Sequence, residues 1–496
     1  MASLAAVDLG AQSGRVAVGR FDGERLDVAE VHRFANVPVR TRGTLSWDIL
    51  RIYGDVLDGL RAAAREAGHV DSVAVDSWAV DFGLIDHNGR LLQNPIHYRD
   101  GRRARTMKAV LEDVPARELY ERTGIQLIPI NTLFELAAMA AERDPALAAA
   151  QRLLLIPDLM HYWLCGAQTS ELTNATTTQC FDPRRREWAG DLLERLDVPA
   201  RLLPDVVPPG SRLSRLDREV ADDTRLRGAA VVAVATHDTA SAVAAVPFRV
   251  PGSFFVSAGT WSLIGVEVDE PLISDATFSA NLTNEGGVEG TFRLLRNVAG
   301  LWLVHECRRS WALEGHDYSF DQLVALAKQA PALRSFIEPN DPIFVEPGDM
   351  PARVRAFCAH TGQAEPVEPG AVVRCILESL ALKHAETVEL LASVTRIPPT
   401  EIHVVGGGAR NELLCRWTAD ATGLPVHAGP EEATLLGNLL VQAMSLDEIA
   451  SLAEAREVVA ASTMPVTHEP QQTSAWGEAR ERFAATVALP TLEVRA

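Results

Sequence analysis

Apolar positions along the chain switch repeatedly between a period of two and one near three and a half, which predicts a mixed α/β protein. Residues 4–7 are apolar, residues 8–14 carry turn chemistry, and Val16, Val18 and Phe21 continue as a second strand. Asp22-Gly23 is a good hairpin turn and leads into a third strand at 26–32. Residues 47–67 read as a helix, because Ile49, Ile52, Val56, Leu60 and Ala63 fall on one face. A buried strand at 70–75 ends at Asp76-Ser77-Trp78, and residues 80–85 run into the hairpin turn His87-Asn88-Gly89. Helices are expected at 103–112, 131–143 and 191–196. The small and β-branched run 231–235 is a strand, and Thr236-His237-Asp238-Thr239 follows it at once.

A second unit then opens. Residues 246–252 hold two prolines and a glycine and make the best boundary. After it the opening pattern returns: strand 254–257, turn Ala258-Gly259-Thr260, strand 261–266. Helices follow at 301–311 and 370–393, then strand 401–405, the turn Gly406-Gly407-Gly408 and a helix at 411–422. Residues 339–351 read as a proline-rich surface loop. The expected domains are therefore 1–245 and 246–496.

Composition narrows the function. The chain has 496 residues, 47% hydrophobic and 23% charged, which is enough apolar material for a large core. Its formal charge of −19 removes the cationic footprint that nucleic acid or an anionic membrane needs. No apolar run is long enough to span a bilayer; 146–166 comes nearest and is broken by Arg152, Pro157, Asp158 and His161. The N-terminus has no secretory pattern, so a cytoplasmic location is expected. None of the six cysteines forms a CxxC pair, so they read as structural thiols, including Cys358 and Cys375.

Four short segments carry candidate chemistry. In Asp8-Leu9-Gly10-Ala11-Gln12-Ser13-Gly14-Arg15, glycines permit a tight turn whose backbone N–H groups face a phosphate. Arg15 adds a permanent cation, and Asp8 suits magnesium held through water. An ordinary hairpin turn explains the same residues. Ala258-Gly259-Thr260-Trp261-Ser262 is a second such turn with the same two readings. Gly406-Gly407-Gly408 lets a flat ring or a phosphate approach a helix start, or merely caps a loop. Neither GxGxxG nor GxxxxGK[ST] occurs, which argues against a Rossmann dehydrogenase and a P-loop NTPase. Asp238 is either a helix cap or a general base on a substrate hydroxyl. His237 beside it is either a structural histidine or a sugar ligand.

Taken together, the blocks resemble the FGGY carbohydrate kinases of the actin-like ATPase fold. The blocks are VDLGAQSGRV at 7–16, DSWAVDFGLID at 76–86, YRDGR at 98–102, ATHDTASAV at 235–243, SAGTWSLIGVE at 257–267, RNVAGLWLVHECRR at 296–309, VVGGGARNELLC at 404–415 and GPEEATLLGN at 429–438. The resemblance implies two actin-like (ribonuclease H-like) α/β ATPase domains with a cleft between them. Residues 1–245 would bind sugar and carry the phosphate loop, and 246–496 would bind nucleotide. By position it implies Asp238 as catalytic base and Gly83, His237, Asp238 and Thr239 as sugar contacts. It implies Ala11, Gln12, Ser13, Gly14, Arg15, Thr260, Asn297, His305 and Gly407 as ATP contacts, with Asp8 near Mg²⁺. The most similar members carry glutamine where this chain has His305, and threonine where it has Arg103. The Lys and Trp signature expected near position 150 in glycerol and xylulose kinases is not evident. The implied reaction is transfer of the ATP γ-phosphoryl group to the 1-hydroxyl of L-rhamnulose, with L-fuculose and L-xylulose as other ketoses. The implied partners are MgATP and a small sugar, with neither nucleic acid nor membrane, in a monomer or small homo-oligomer. A non-catalytic nucleotide sensor on the same fold is the reading from another class, and it predicts a damaged base or phosphate turn.

Overall fold

A computed structural model describes residues 2–487. The chain condenses into two compact units. The first runs to Pro247 and also takes up Glu267–Leu294 and Glu432–Thr463. The second holds Phe248–Val266, Leu295–Glu431 and the described residues from Met464 onward. The first crossing falls between Pro247 and Phe248, and two later segments return to unit 1. Helix Ala433–Ser445 returns because its partners are there: it packs on strand Ala2–Leu9 and helix Asp238–Ala244.

Unit 1 is built on a six-stranded sheet. Its order is Ser211–Arg215, Ala230–Ala233, Ser72–Ser77, Ala2–Leu9, Ser13–Phe21, Leu26–Ala35. The last three form an antiparallel meander, with Ala2 opposite Phe21 and Leu9 opposite Gly14. Ala2–Leu9 runs parallel to Ser72–Ser77, which runs parallel to Ala230–Ala233. These parallel strands are almost wholly buried, as strands covered on both faces must be. Helix Ile49–Ala67 buries the five residues whose spacing predicted it, Ile49, Ile52, Val56, Leu60 and Ala63.

In unit 2, strand Ser253–Ala258 is antiparallel to Trp261–Val268 and parallel to Glu401–Val405. Val426–Ala428 extends the parallel set, and Val466–His468 closes it antiparallel. Each unit thus starts with an antiparallel hairpin and adds parallel strands to its first member. The repeat read in the sequence is a repeat of topology.

Three local expectations change. Strand Phe82–Ile85 finds its main partner in Arg152–Leu155; across the turn after it only Ile85 and Leu91 bridge. The apolar run 153–155 supplies a buried partner that the polar turn flank cannot. Within 339–351, Pro342–Phe344 is a short 3-10 helix and helix Met350–His360 has begun. Helix Ala433–Ser445 was not anticipated, because it is buried nearly all round and shows no amphipathic period.

That helix approaches Asp238–Ala244 at Gly437. A Cβ there would lie 1.7 Å from the Ser241 carbonyl oxygen. Gly437→Ala is expected to lower stability by about 1–3 kcal/mol, the usual cost of overpacking. Denaturant unfolding of the variant beside the wild type checks this.

Candidate active site

Three carboxylates gather at the carboxyl ends of adjacent parallel strands in unit 1. Asp8 ends Ala2–Leu9, and Asp76 stands beside it in register on Ser72–Ser77. Ser77 bridges His237, which places Asp238 just past the next strand. Carboxyl ends of parallel strands are where open α/β sheets bind ligands.

Each carboxylate is answered differently. Arg15 stands opposite Asp8 in the hairpin, and its Nε and Nη2 lie 2.8 and 2.7 Å from Asp8 Oδ2. The same guanidinium also pairs with Glu432. Asp76 is fully buried. Its Oδ2 accepts a 2.6 Å bond from Asn438 Nδ2, while Oδ1 has no hydrogen-bond partner. Gln442 Nε2 donates to Asn438 Oδ1 at 2.7 Å, which turns the Asn438 amide donor toward Asp76. Burial, then the charge of Asp8, holds the Asp76 carboxyl well above the usual range, against the Asn438 bond.

Asp238 opens helix Asp238–Ala244, and its Oδ1 accepts from Thr239 N at 2.6 Å and Thr239 Oγ1 at 3.2 Å. Burial raises its pKa, His237 lowers it and Asp8 raises it, with a net upward shift. About a third of its side-chain surface stays open, 32%, so a substrate hydroxyl can reach it. His237 Nε2 lies 3.4 Å from Asp238 Oδ1. On its other side His237 Nδ1 meets Glu285 and Arg293, at 3.3 and 3.2 Å.

The segment before Asp238 is anchored by Glu171. Its Oε2 accepts from Thr236 N, Thr236 Oγ1 and Thr173 Oγ1 at 2.9, 2.8 and 2.5 Å. Thr173 Oγ1 in turn accepts from His237 N at 3.2 Å. Below it, Asp158 accepts from Ser170 Oγ and Glu171 N at 3.0 and 3.2 Å. Glu171, Asp158, Asp76, Asn438, Glu285 and Arg293 were assigned no role from sequence, although Asp76 and Asn438 fall within the quoted blocks 76–86 and 429–438. They are scattered singly, with no spacing to mark them; only their burial as polar groups does.

The phosphate-loop candidates form a pinned turn. Gly10 N donates to Ser13 O at 2.9 Å. Asn36 donates to Gln12 O from its backbone and to Gly10 O from its side chain, both at 3.0 Å. Ala11, Gln12 and Ser13 keep exposed or half-exposed surface. Gly14 lies within strand Ser13–Phe21, where a Cβ would be 2.2 Å from the Phe34 ring. It serves close packing, not a left-handed turn. Gly83 is buried in strand Phe82–Ile85, under Leu159 and Leu91.

Unit 2 assembles its own pair of turns. Gly259 N donates to Trp261 O at 2.8 Å, and the turn carbonyls of Gly259 and Thr260 accept from Leu301 N and Trp302 N at 3.0 and 3.2 Å. Gly406, at φ +79°, and Gly408 lie against Ala258, while Gly407 faces open space. Thr260 and Gly407 thus flank the same strand end. Asn297 is half-buried on strand Phe292–Ala299. His305 is half-buried on helix Trp302–Leu313 and stacks on Phe320 with centroids 5.9 Å apart; burial lowers its pKa.

Among the described residues, no group of three or more His, Cys, Asp or Glu side chains forms a metal cage. Magnesium needs none, since it keeps several waters and takes one or two carboxylates with substrate phosphates. Asp8 beside the orphaned Asp76 Oδ1 fits a hydrated ion of that kind.

The chain matches the model of the FGGY family of carbohydrate kinases, N-terminal domain, over residues 3–245. It matches the C-terminal domain model of the same family over residues 254–446. The chain belongs to the FGGY family of carbohydrate kinases. A rhamnulokinase from Bacteroides thetaiotaomicron is 40% identical to this FGGY kinase over 478 residues, 96% of this chain and 98% of the relative. A rhamnulokinase from Enterococcus faecalis is 39% identical over 460 residues, 92% of each chain. In fold, it resembles xylulose kinase from Lactobacillus acidophilus, with a TM-score of 0.81 at 15% identity over 98% and 97% of the two chains. It also resembles Plasmodium falciparum glycerol kinase with ADP, with a TM-score of 0.77 at 13% identity over 99% of each. Both neighbours support the actin-like fold expected from the sequence.

The buried acid pair beneath the site has a pH signature. Burial, then the charge of Glu171, puts the Asp158 carboxyl well above its ordinary value. A raised acid pKa means that the native state holds the proton longer than the unfolded chain does. Stability therefore falls as pH rises from about 4, the unfolded value, toward the native one. Asp158→Asn is expected to flatten this fall while keeping the contacts to Ser170 and Glu171. Melting temperatures measured across pH check it.

Proposed function

We propose that this kinase transfers the γ-phosphoryl group of ATP to the 1-hydroxyl of L-rhamnulose, releasing ADP and L-rhamnulose 1-phosphate. The observation that carries the reading is near-40% identity, along almost the whole chain, to two curated rhamnulokinases. Asp238 accepts the proton of the 1-hydroxyl as that oxygen attacks phosphorus. Its open face and its place at a strand end support this role. His237 and Thr239 orient the sugar beside the base, and Gly83 contributes from its buried strand. The turn Ala11–Arg15 receives phosphate through backbone N–H groups. Thr260, Asn297, His305 and Gly407 serve the nucleotide.

Phosphoryl transfer asks little covalent chemistry of the protein, so positioning and charge neutralisation dominate. Asp8, with Asp76 next to it, would hold magnesium, which would supply charge neutralisation on the phosphates. Arg15 is already paired with Asp8 and Glu432, so its cation is shared, not free. The net charge of −19 is compatible with a polyanionic substrate on this account. ATP brings its own counterion, and backbone dipoles receive its phosphates without a broad basic surface. In the division of labour we propose, residues 1–245 serve sugar and phosphate and residues 246–496 serve nucleotide. No helix among the described residues is long and apolar enough to cross a membrane. All six cysteines are buried thiols, which accords with a cytoplasmic location.

Coupled ADP release with L-rhamnulose, L-fuculose, L-xylulose and glycerol tests the reading. L-rhamnulose is expected to give the highest kcat/KM; no acceleration by it sinks the proposal. Asp238→Asn is expected to keep the fold and ATP binding and to lower kcat by ~10²–10⁴, the range for a lost general base. Near-normal turnover in that variant removes Asp238 from the role.

A further inference from the structure

Two buried residues outside the family blocks face His237 from behind. Glu285 lies on strand Thr283–Gly286 of unit 1, and Arg293 on the following strand, Phe292–Ala299; both are almost fully buried. Arg293 Nη1 lies 3.3 Å from Glu285 Oε2, and Arg293 Nε donates to Gly286 O at 3.0 Å, which fixes the guanidinium plane. Both partners then converge on one atom. Arg293 Nη2 is 3.2 Å and Glu285 Oε2 is 3.3 Å from His237 Nδ1.

One nitrogen cannot serve both. A guanidinium only donates, so its contact is favourable only when Nδ1 carries a lone pair. An ionised carboxylate only accepts, so its contact requires Nδ1–H. The third neighbour decides. Asp238 Oδ1, 3.4 Å from Nε2, needs a donor there when it is ionised. The neutral ring with its proton on Nε2 meets the Arg293 and Asp238 contacts, and Glu285 is answered by Arg293 in place of the ring. Arg293 donates to Nδ1, Arg293 also pairs with Glu285, and Nε2–H faces Asp238. The opposite tautomer turns a lone pair toward the Asp238 carboxylate and leaves Arg293 Nη2 facing an N–H. The imidazolium sets Nδ1–H against the guanidinium.

We propose that the buried Arg293–Glu285 pair is a positioning device that holds His237 in its Nε2–H tautomer, so that the ring steadies the ionised Asp238 base. The inference deepens the kinase reading and rests on Asp238 as base. Arg293 and Glu285 touch neither substrate nor phosphate on this account; they act through His237.

Nitrogen NMR on histidine-labelled protein reads the tautomer directly, with the His237 signals assigned by their loss in His237→Asn. The wild type is expected to show a protonated Nε2 and a bare Nδ1. Arg293→Met is expected to release Nδ1 to Glu285, move the proton to Nδ1, and lower kcat roughly 10–100-fold, the range for groups that orient a functional side chain. Arg293→Lys, which keeps a donor, is expected to restore part of both. A wild-type ring protonated on Nδ1 overturns the proposal, and this result does not depend on whether any variant folds. So does a folded Arg293→Met with an unchanged tautomer and wild-type kcat. The tautomer is read without sugar, so failure of L-rhamnulose turnover would strike the kinase reading alone.

Discussion

Crowding of negative charge at one sheet end is the constraint on which unit 1 depends. Asp8 and Asp76 are side by side in register, and Asp238 follows just past the next strand. Like charges held away from water repel strongly and raise each other's pKa. The fold answers each one separately. Arg15 reaches across a hairpin to Asp8, Asn438 reaches from a helix to Asp76, and His237 turns its ring toward Asp238. Only the last keeps a substantial open face. Asp8 and Asp76 lie deeper, with Asp76 Oδ1 still without a hydrogen-bond partner.

Holding these answers in place determines much of the packing behind the site. Asn438 can reach Asp76 because Gly437, one residue earlier, lets its helix lie directly on Asp238–Ala244. Gln442, one turn further, ties Asn438 to Ser72 and to the Ala5 carbonyl. One helix thus registers two strands and the helix that Asp238 opens. On the other side, Glu171 spends its carboxylate on Thr236 and Thr173, which fixes the backbone leading into His237. A base works only if its distance to the substrate is set in advance. These buried polar contacts fix the backbone leading into Asp238, at the cost of burying Asp158 and Glu171.

Much of the fold was legible in the sequence because its strands carry short apolar runs that stop at turn residues. Residues 4–7, 231–235 and 254–257 all mark real strands, and the amphipathic helix at 47–67 begins only two residues later, at Ile49. Helix Ala433–Ser445 escaped because a fully buried helix has no polar face to reveal its period. The hairpin turn expected after residue 85 is present, but the main partner of that strand, Arg152–Leu155, escaped because it lies far along the chain. For the site, Asp8, Arg15, His237 and Asp238 stood out because turn chemistry surrounds them. Asp76, Asn438, Glu285 and Arg293 did not. Their meaning comes from neighbours as much as hundreds of residues away, as with Asn438 and Asp76 at a separation of 362. No local pattern encodes such a meeting.

The central proposal is that Asp238 is a half-open carboxylate whose raised pKa suits it to take the proton of the sugar hydroxyl. Burial and Asp8 raise its pKa more than His237 lowers it. Activity must then be lost as pH falls through a value above that of an ordinary aspartate, about 3.9. The pH dependence of kcat/KM with L-rhamnulose measures this most directly. The account predicts an acid limb that lies clearly above that ordinary value. A profile that stays flat down to about pH 4, the range of an unperturbed carboxylate, contradicts it.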